Sequence, residues 1–265
     1  MFTKILLPFL LAFASAGTLA AAPATVYLEE MTWTEVRDAI GAGKTTILVP
    51  IGGTEQNGPA MALGKHNVRS RLLAGKIATA LGNALVAPVM AYVPEGSVNP
   101  PVAHMRFTGT ITVPDATFEQ VLESAARSFK AHGFRNIVLL GDHGGYQKNL
   151  QAVAARLNRQ WTATPVRVLA PAAYYQAGQR DFAQVLKQRG FRDEEIGTHA
   201  GLLDTALLLA LAPQLVRADR LLQPPSAAEG VYGDPRRATA ELGQLGVDLI
   251  VARTVDAIRA AGAPH

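Results

Sequence analysis

Leu48-Val-Pro-Ile-Gly-Gly-Thr-Glu-Gln-Asn-Gly-Pro-Ala-Met-Ala-Leu-Gly-Lys-His66 is the stretch whose reading decides the fold. Its first part continues a β-branched and apolar run from Thr45 to Ile51, the pattern of a strand buried on both faces. Gly52 and Gly53 stop that run with backbone freedom other residues lack, so the chain leaves the sheet at a sharp turn. Glu55 follows at the carboxyl end of the strand, and His66 stands just before an apolar-periodic segment. In an open α/β sheet, ligands bind at that end of the strands. Taken singly, each is more readily an ordinary loop residue than a ligand, so the rest of the chain must decide.

Working outward, the same alternation recurs. Thr32 and Glu35 make a capping pattern for a short helix to Ile40, which ends at Gly41 and Gly43. Val68, Leu72, Leu73, Ile77 and Leu81 predict a helix over 67–81, closed by Gly82. Leu85 to Met90 is a strand candidate in which Pro88 marks a strand end or an edge. A helix capped by Asp115 runs to Ala131, with Phe118, Val121, Leu122, Ala125 and Phe129 on its apolar side. Asn136 to Leu140 reads as a central strand that breaks at Gly141-Asp-His-Gly-Gly145, presenting His143 in a glycine-rich turn. Further helices are predicted over 147–161, 181–189 and 244–260, with a strand over 166–169 between the first two. Strand and helix in alternation imply right-handed crossovers and a mostly parallel sheet between helical layers, an α/β/α sandwich.

The long Pro- and Gly-rich loop 91–106 is of a length that usually has a function; its His104 either packs within the loop or faces a ligand. His199 and Asp204 precede or open a very apolar helix, either as its capping region or as part of the same polar rim.

The chain has 265 residues, 49% of them hydrophobic, with a net charge of +4 and no basic cluster, which argues against nucleic-acid binding. Met1 to Lys4, the apolar run Ile5 to Leu19, and the small residues to Ala24 read as a secretory signal over 1–22, leaving one α/β domain over 23–265. A protein exported to the periplasm or secreted, with no membrane association after cleavage, is the expectation. The absence of cysteine fits an oxidising compartment and leaves stability to the core.

Five blocks carry a family resemblance. Gly52 to Pro59 is similar to G-S-x-E-Q-H-G-P, His104 to Thr110 to H-x-x-F-P-G-T, Gly141 to Gly145 to N-G-H-G-G, His199 to Thr205 to H-A-G-E-x-E-T, and Gly230 to Ala238 to G-V-x-G-D-P-x-x-A. Together, and in this order, they resemble the creatininase family of metal-dependent amidohydrolases. The resemblance implies an α/β/α domain, assembly into homo-oligomers (hexamers), and divalent metal at the strand ends activating water against a carbon–nitrogen bond of a small cyclic or linear amide.

Carried over by position, Glu55 and His143 are retained as metal ligands, while Asn57 replaces a histidine ligand and His66 replaces a bridging aspartate. An imidazole cannot bridge two cations as a carboxylate does, and an amide oxygen is a poor zinc ligand. The expectation is therefore one metal, most simply Zn2+ with Mn2+ or Fe2+ as other occupants, held by Glu55, His66 and His143. The resemblance makes His199 a candidate general acid or base. Asp204 either orients His199 or approaches the metal. Asn57, His104, Asp142 and Tyr146 are expected to bind substrate or to support the ligands, Tyr146 standing where the family usually has Asn. Leu202 replaces a family acid, and with Asn57 it keeps open the alternative of a non-catalytic binding protein on the same fold.

Overall fold

The computed structural model describes residues 25–262, so the expected leader lies outside the described residues. Four strands form a parallel sheet in the order β2-β1-β3-β4: β1 (Thr46–Ile51), β2 (Ala84–Val86), β3 (Asn136–Gly141) and β4 (Arg167–Leu169). Every residue of β1 is buried, as a strand covered on both faces requires. Pro50 sits in this central strand without a ladder N–H to give. Its neighbour β2 has already ended there, and the Pro50 carbonyl accepts from the Met90 N–H at 2.9 Å. The strand expected to reach Met90 is thus three residues long, at the sheet edge.

The helices are α1 (Trp33–Gly41), α2 (Lys65–Leu81), α3 (Asp115–Ala131), α4 (Gln147–Gln160), α5 (Ala172–Gln176), α6 (Phe182–Gln188), α7 (Asp193–Ile196), α8 (Leu202–Leu211), α9 (Ala218–Leu221) and α10 (Ala240–Gly262). A π-helical segment, Ala177–Asp181, joins α5 to α6, so the helix expected over 181–189 is the second half of a longer helical run.

Alternate residues of the strands feed two cores. Leu48, Val86, Val138 and Leu140 pack with α2, α8 and α10. Ile47, Val49, Leu85, Ile137, Leu139 and Val168 pack on the other face with α3 and α4. This is the three-layer sandwich the alternation predicts.

Two local expectations change. Asp115 is the first residue of α3 rather than its cap; Pro114 takes the capping position without a side-chain bond. Phe118, Leu122 and Ala126 form the buried stripe of α3, while Val121 is 46% exposed, because a four-residue spacing, not three, faces the sheet here. Thr32 does cap α1 with a complete capping box, and Gly82 ends α2 in the left-handed conformation.

Candidate metal centre

β1 and β3 end side by side, and the loops that leave them face each other. After β1, Gly53 (φ +148°) turns the chain and Glu55 enters fully buried. The loop is stapled to the start of α2: Asn67 Oδ1 accepts from the Gly53 N–H at 2.9 Å, and Asn67 Nδ2 donates to Thr54 Oγ1 at 3.1 Å. The helix begins two residues earlier than its apolar period suggests, which places Lys65 and His66 in its first turn. The Lys65 ammonium there opposes the helix dipole, so buried carboxylates must compensate it.

Beyond β3, the Tyr146 hydroxyl accepts from the His143 N–H at 3.1 Å and faces the carbonyls of Ile51 (2.9 Å) and Gly52 (2.6 Å). It ties the two strand ends together. Burial holds its pKa well above the ordinary phenol value.

Four side chains converge above these turns. Glu55, Glu95, His104 and His143 each offer one ligand atom, all within 4.8 Å of one another. His104 Nε2 lies 3.1 Å and His143 Nε2 3.5 Å from Glu55 Oε2, and His143 Nδ1 lies 3.7 Å from Glu95 Oε2. Glu55 Oε2 and both Glu95 oxygens are buried without a hydrogen-bond partner. Orphaned buried oxygens are costly, and a cation among them with two imidazoles supplies what they lack. The donor set fits a divalent metal.

Sequence reasoning missed Glu95, which shares the long loop with His104. The signal available was the loop itself, which holds a carboxylate and a histidine together. Its approach depends on Gly53, where a Cβ would stand 2.5 Å from Glu95 Oε1. Burial, and then the charge of Glu55, push the Glu95 carboxyl up to about 9 in the metal-free protein. Burial alone would raise Glu55 as well, but His66, Lys65 and His143 hold it below the ordinary carboxylate range. His143 is pushed down to about 3, first by burial and then by His66 and Lys65, against the pull of Glu55; burial also lowers His104. Both imidazoles are neutral near neutral pH, the form that binds metal.

His66, expected among the ligands, lies on the other side of Glu55. Its Nε2 is 2.7 Å from Glu55 Oε1 and its Nδ1 2.6 Å from Asp142 Oδ2. Arg69 Nη2 also lies 3.1 Å from Nδ1, so both ring nitrogens are engaged by neighbours outside the four-ligand cluster. Asp142 also accepts from Arg69 Nε (2.8 Å) and the Tyr174 hydroxyl (3.0 Å). Asp204 does not hydrogen-bond to His199. It accepts from Arg69 Nη1 (2.7 Å), Lys65 Nζ (3.2 Å) and the Ala200 N–H (3.0 Å), because two buried cations reach it first. Ala200 presents that N–H from the left-handed region, at φ 54°. Asn57 braces its own loop, donating to the carbonyls of Glu55 (2.9 Å) and Ala62 (3.2 Å).

His199 Nε2 lies 2.9 Å from the Gln56 carbonyl and 3.1 Å from the Gln56 side-chain NH2, and its Nδ1 lies 3.8 Å from Glu55 Oε1. Burial, then Lys65, lowers its pKa to about 4, so it is a free base at neutral pH. A cavity of about 150 Å³ opens over His143 and His199 and is also lined by Tyr175 and Gln179.

The Creatininase family, described as creatinine amidohydrolase, matches residues 29–258. The chain belongs to the creatininase family. Members are metal-dependent amidohydrolases. Creatinine amidohydrolase of Pseudomonas putida is 27% identical over 89% of this chain and 96% of its own. A mycofactocin precursor peptide peptidase of Mycolicibacterium smegmatis is 29% identical over 75% of this chain and 78% of its own. A solved zinc–zinc form of a creatininase variant superposes with a TM-score of 0.73 at 27% identity, covering 91% of this chain and all of that one. The creatininase fold and the strand-end location of the candidate centre agree with the family resemblance of the five sequence blocks.

Proposed function

We propose that this creatininase-family enzyme holds one divalent metal per chain, zinc, on Glu55, Glu95, His104 and His143, and hydrolyses a C–N bond of a small cyclic or linear amide. The carrying observation is the convergence of these four ligand atoms within 4.8 Å around oxygens that have no other partner. When bound, such a cation supplies Lewis acidity and a water acidified toward neutral pH.

The chain's own residues supply the rest. His199, unprotonated at neutral pH and beside Glu55, is the residue placed to accept the proton of an attacking water and return it to the departing nitrogen. His66, gripped between Glu55 and Asp142, fixes the ligand carboxylate, and Tyr146 fixes the backbone of His143. Tyr175 and Gln179 offer a hydroxyl and an amide to a small polar substrate, and the size of the cavity favours one over a long peptide.

Elemental analysis of protein purified without added metal or chelator, followed by assays on lactams and linear amides, tests this reading. One zinc per chain, lost together with hydrolysis in Glu95→Gln, supports it; two metals, or none after incubation with zinc, sinks it.

We propose further that residues 1–22 are a leader removed on export, that residues 23–265 form one domain in the periplasm or medium, and that this domain assembles as a homo-oligomer. The charged start, apolar run and small-residue end of the leader support the first point. Amino-terminal sequencing of the protein from a periplasmic fraction, with its mass in solution, tests all three.

A further inference from the structure

Next to the four-ligand cluster lies a second anionic pocket whose occupant is a lysine. Lys65 is fully buried, and its Nζ sits 3.8 Å from Glu55 Oε1 and 3.2 Å from Asp204 Oδ2. His199 Nδ1 is 3.8 Å from the same Glu55 oxygen. Two carboxylate oxygens on either side of the ammonium are ligands of the kind that hold a divalent ion, and the His199 ring lies beside the Glu55 one. Glu55 has its other oxygen in the four-ligand cluster, so it faces a cation place on each side. On one side the cation place needs a metal. On the other it is filled by the protein.

We infer that the Lys65 ammonium is a built-in substitute for a second metal ion, held between Glu55 and Asp204, and that it restricts this chain to a single metal. The inference rests on the metal reading given above and names what enforces its stoichiometry.

Charge supports the assignment. The carboxylates gathered here are Glu55, Glu95, Asp142 and Asp204, all buried. Lys65, Arg69 and one divalent cation offset all four. Arg69 is itself buried and paired to Asp142 (2.8 Å) and Asp204 (2.7 Å), so it is committed and cannot move aside. A second divalent ion beside Lys65 would leave two uncompensated positive charges among these buried carboxylates, and removing the ammonium halves that excess. The ammonium also differs from a metal in what it can do. It donates hydrogen bonds but accepts no water oxygen as a ligand, so the acidified water of this enzyme arises at one cation only.

The test is zinc stoichiometry and does not depend on turnover. Full-length chains of wild type, Lys65→Ala and the double variant Lys65→Ala/Asp204→Asn are stripped with chelator, titrated with zinc by calorimetry, desalted and analysed for metal, with circular dichroism confirming the fold. The expected result is one zinc in the wild type, two in Lys65→Ala, and one again in the double variant. One zinc in both wild type and folded Lys65→Ala overturns the role of Lys65 and leaves the single-metal reading intact. Two in the wild type overturns both, as does none. Two in the double variant overturns Asp204 as a flank of the place. If Lys65→Ala does not fold, Lys65→Gln, which removes the charge and keeps most of the volume, is read in its stead with the same expectation.

Discussion

Glu95 is the residue on which the pH behaviour of the metal-free protein turns. Its folded pKa is raised from 4.5 to about 9, so between those values the folded chain keeps a proton that the unfolded chain releases. Stability from this group is therefore fully present below about pH 4 and is lost as pH rises through about 9. Metal-free protein is expected to melt lower at pH 8.5 than at pH 6, and Glu95→Gln is expected to flatten that slope. Zinc must displace the same proton. Calorimetry at pH 7 in buffers of different ionisation enthalpy is expected to show about one proton released by Glu95 per zinc bound, absent in Glu95→Gln, whose zinc affinity falls by a factor of ten or more. A second prediction at this scale concerns His199. His199→Gln is expected to keep its zinc and lose about 10²–10⁴ in kcat, because the base is removed while the ligands stay. Loss of zinc in that variant would instead make His199 a ligand.

At the scale of elements, the meeting of β1 with the start of α2 positions the site. A Cβ on Gly52 would stand 2.7 Å from Asn67 Cα and 2.8 Å from Asn67 N, both backbone atoms of the first turn of α2. Gly52→Ala must push that turn, and with it Lys65 and His66. The expected cost is about 1–3 kcal/mol of stability, with zinc affinity falling in step. Gly41→Ala serves as the control, since nothing lies within 4 Å of its added Cβ; urea titration and zinc titration of both variants compare them. Unchanged zinc affinity in a destabilised Gly52→Ala would mean that α2 does not set the ligand geometry. The apolar period of α2 starts at Val68, so its first turn was illegible as helix: Lys65 is the wrong charge for a helix start, and it and His66 are there for Glu55, Asp142 and Asp204.

At the scale of the molecule, the centre joins segments far apart in the chain: the loop after β1, the long loop 91–106, the turn after β3 and the start of α8. A cation that ties the first three together binds the folded chain and not the unfolded one. Zinc at a hundredfold excess over its Kd is expected to add about 2.7 kcal/mol to stability, read as a rise in Tm that chelator reverses. No rise at that excess would separate the cluster from the fold.

What the sequence by itself determined is the part written in local patterns. Continuous apolar runs set the strands, three-to-four spacing set most helices, and glycines at 52–53 and 141–145 marked where β1 and β3 hand over to turns. Glu55 and His143 were legible because they stand at those ends. Tertiary structure decided the partners. Glu95 carries no local mark that separates it from any other loop acid; only the fold of 91–106 across Gly53 aims it at Glu55 and His143. His66 reads as a good ligand by type, and only the nearness of Asp142 takes its second nitrogen. Lys65 and Asp204, 139 positions apart, meet through the packing of α2 with α8, and an ion pair across that distance leaves no trace in the spacing of residues along the chain.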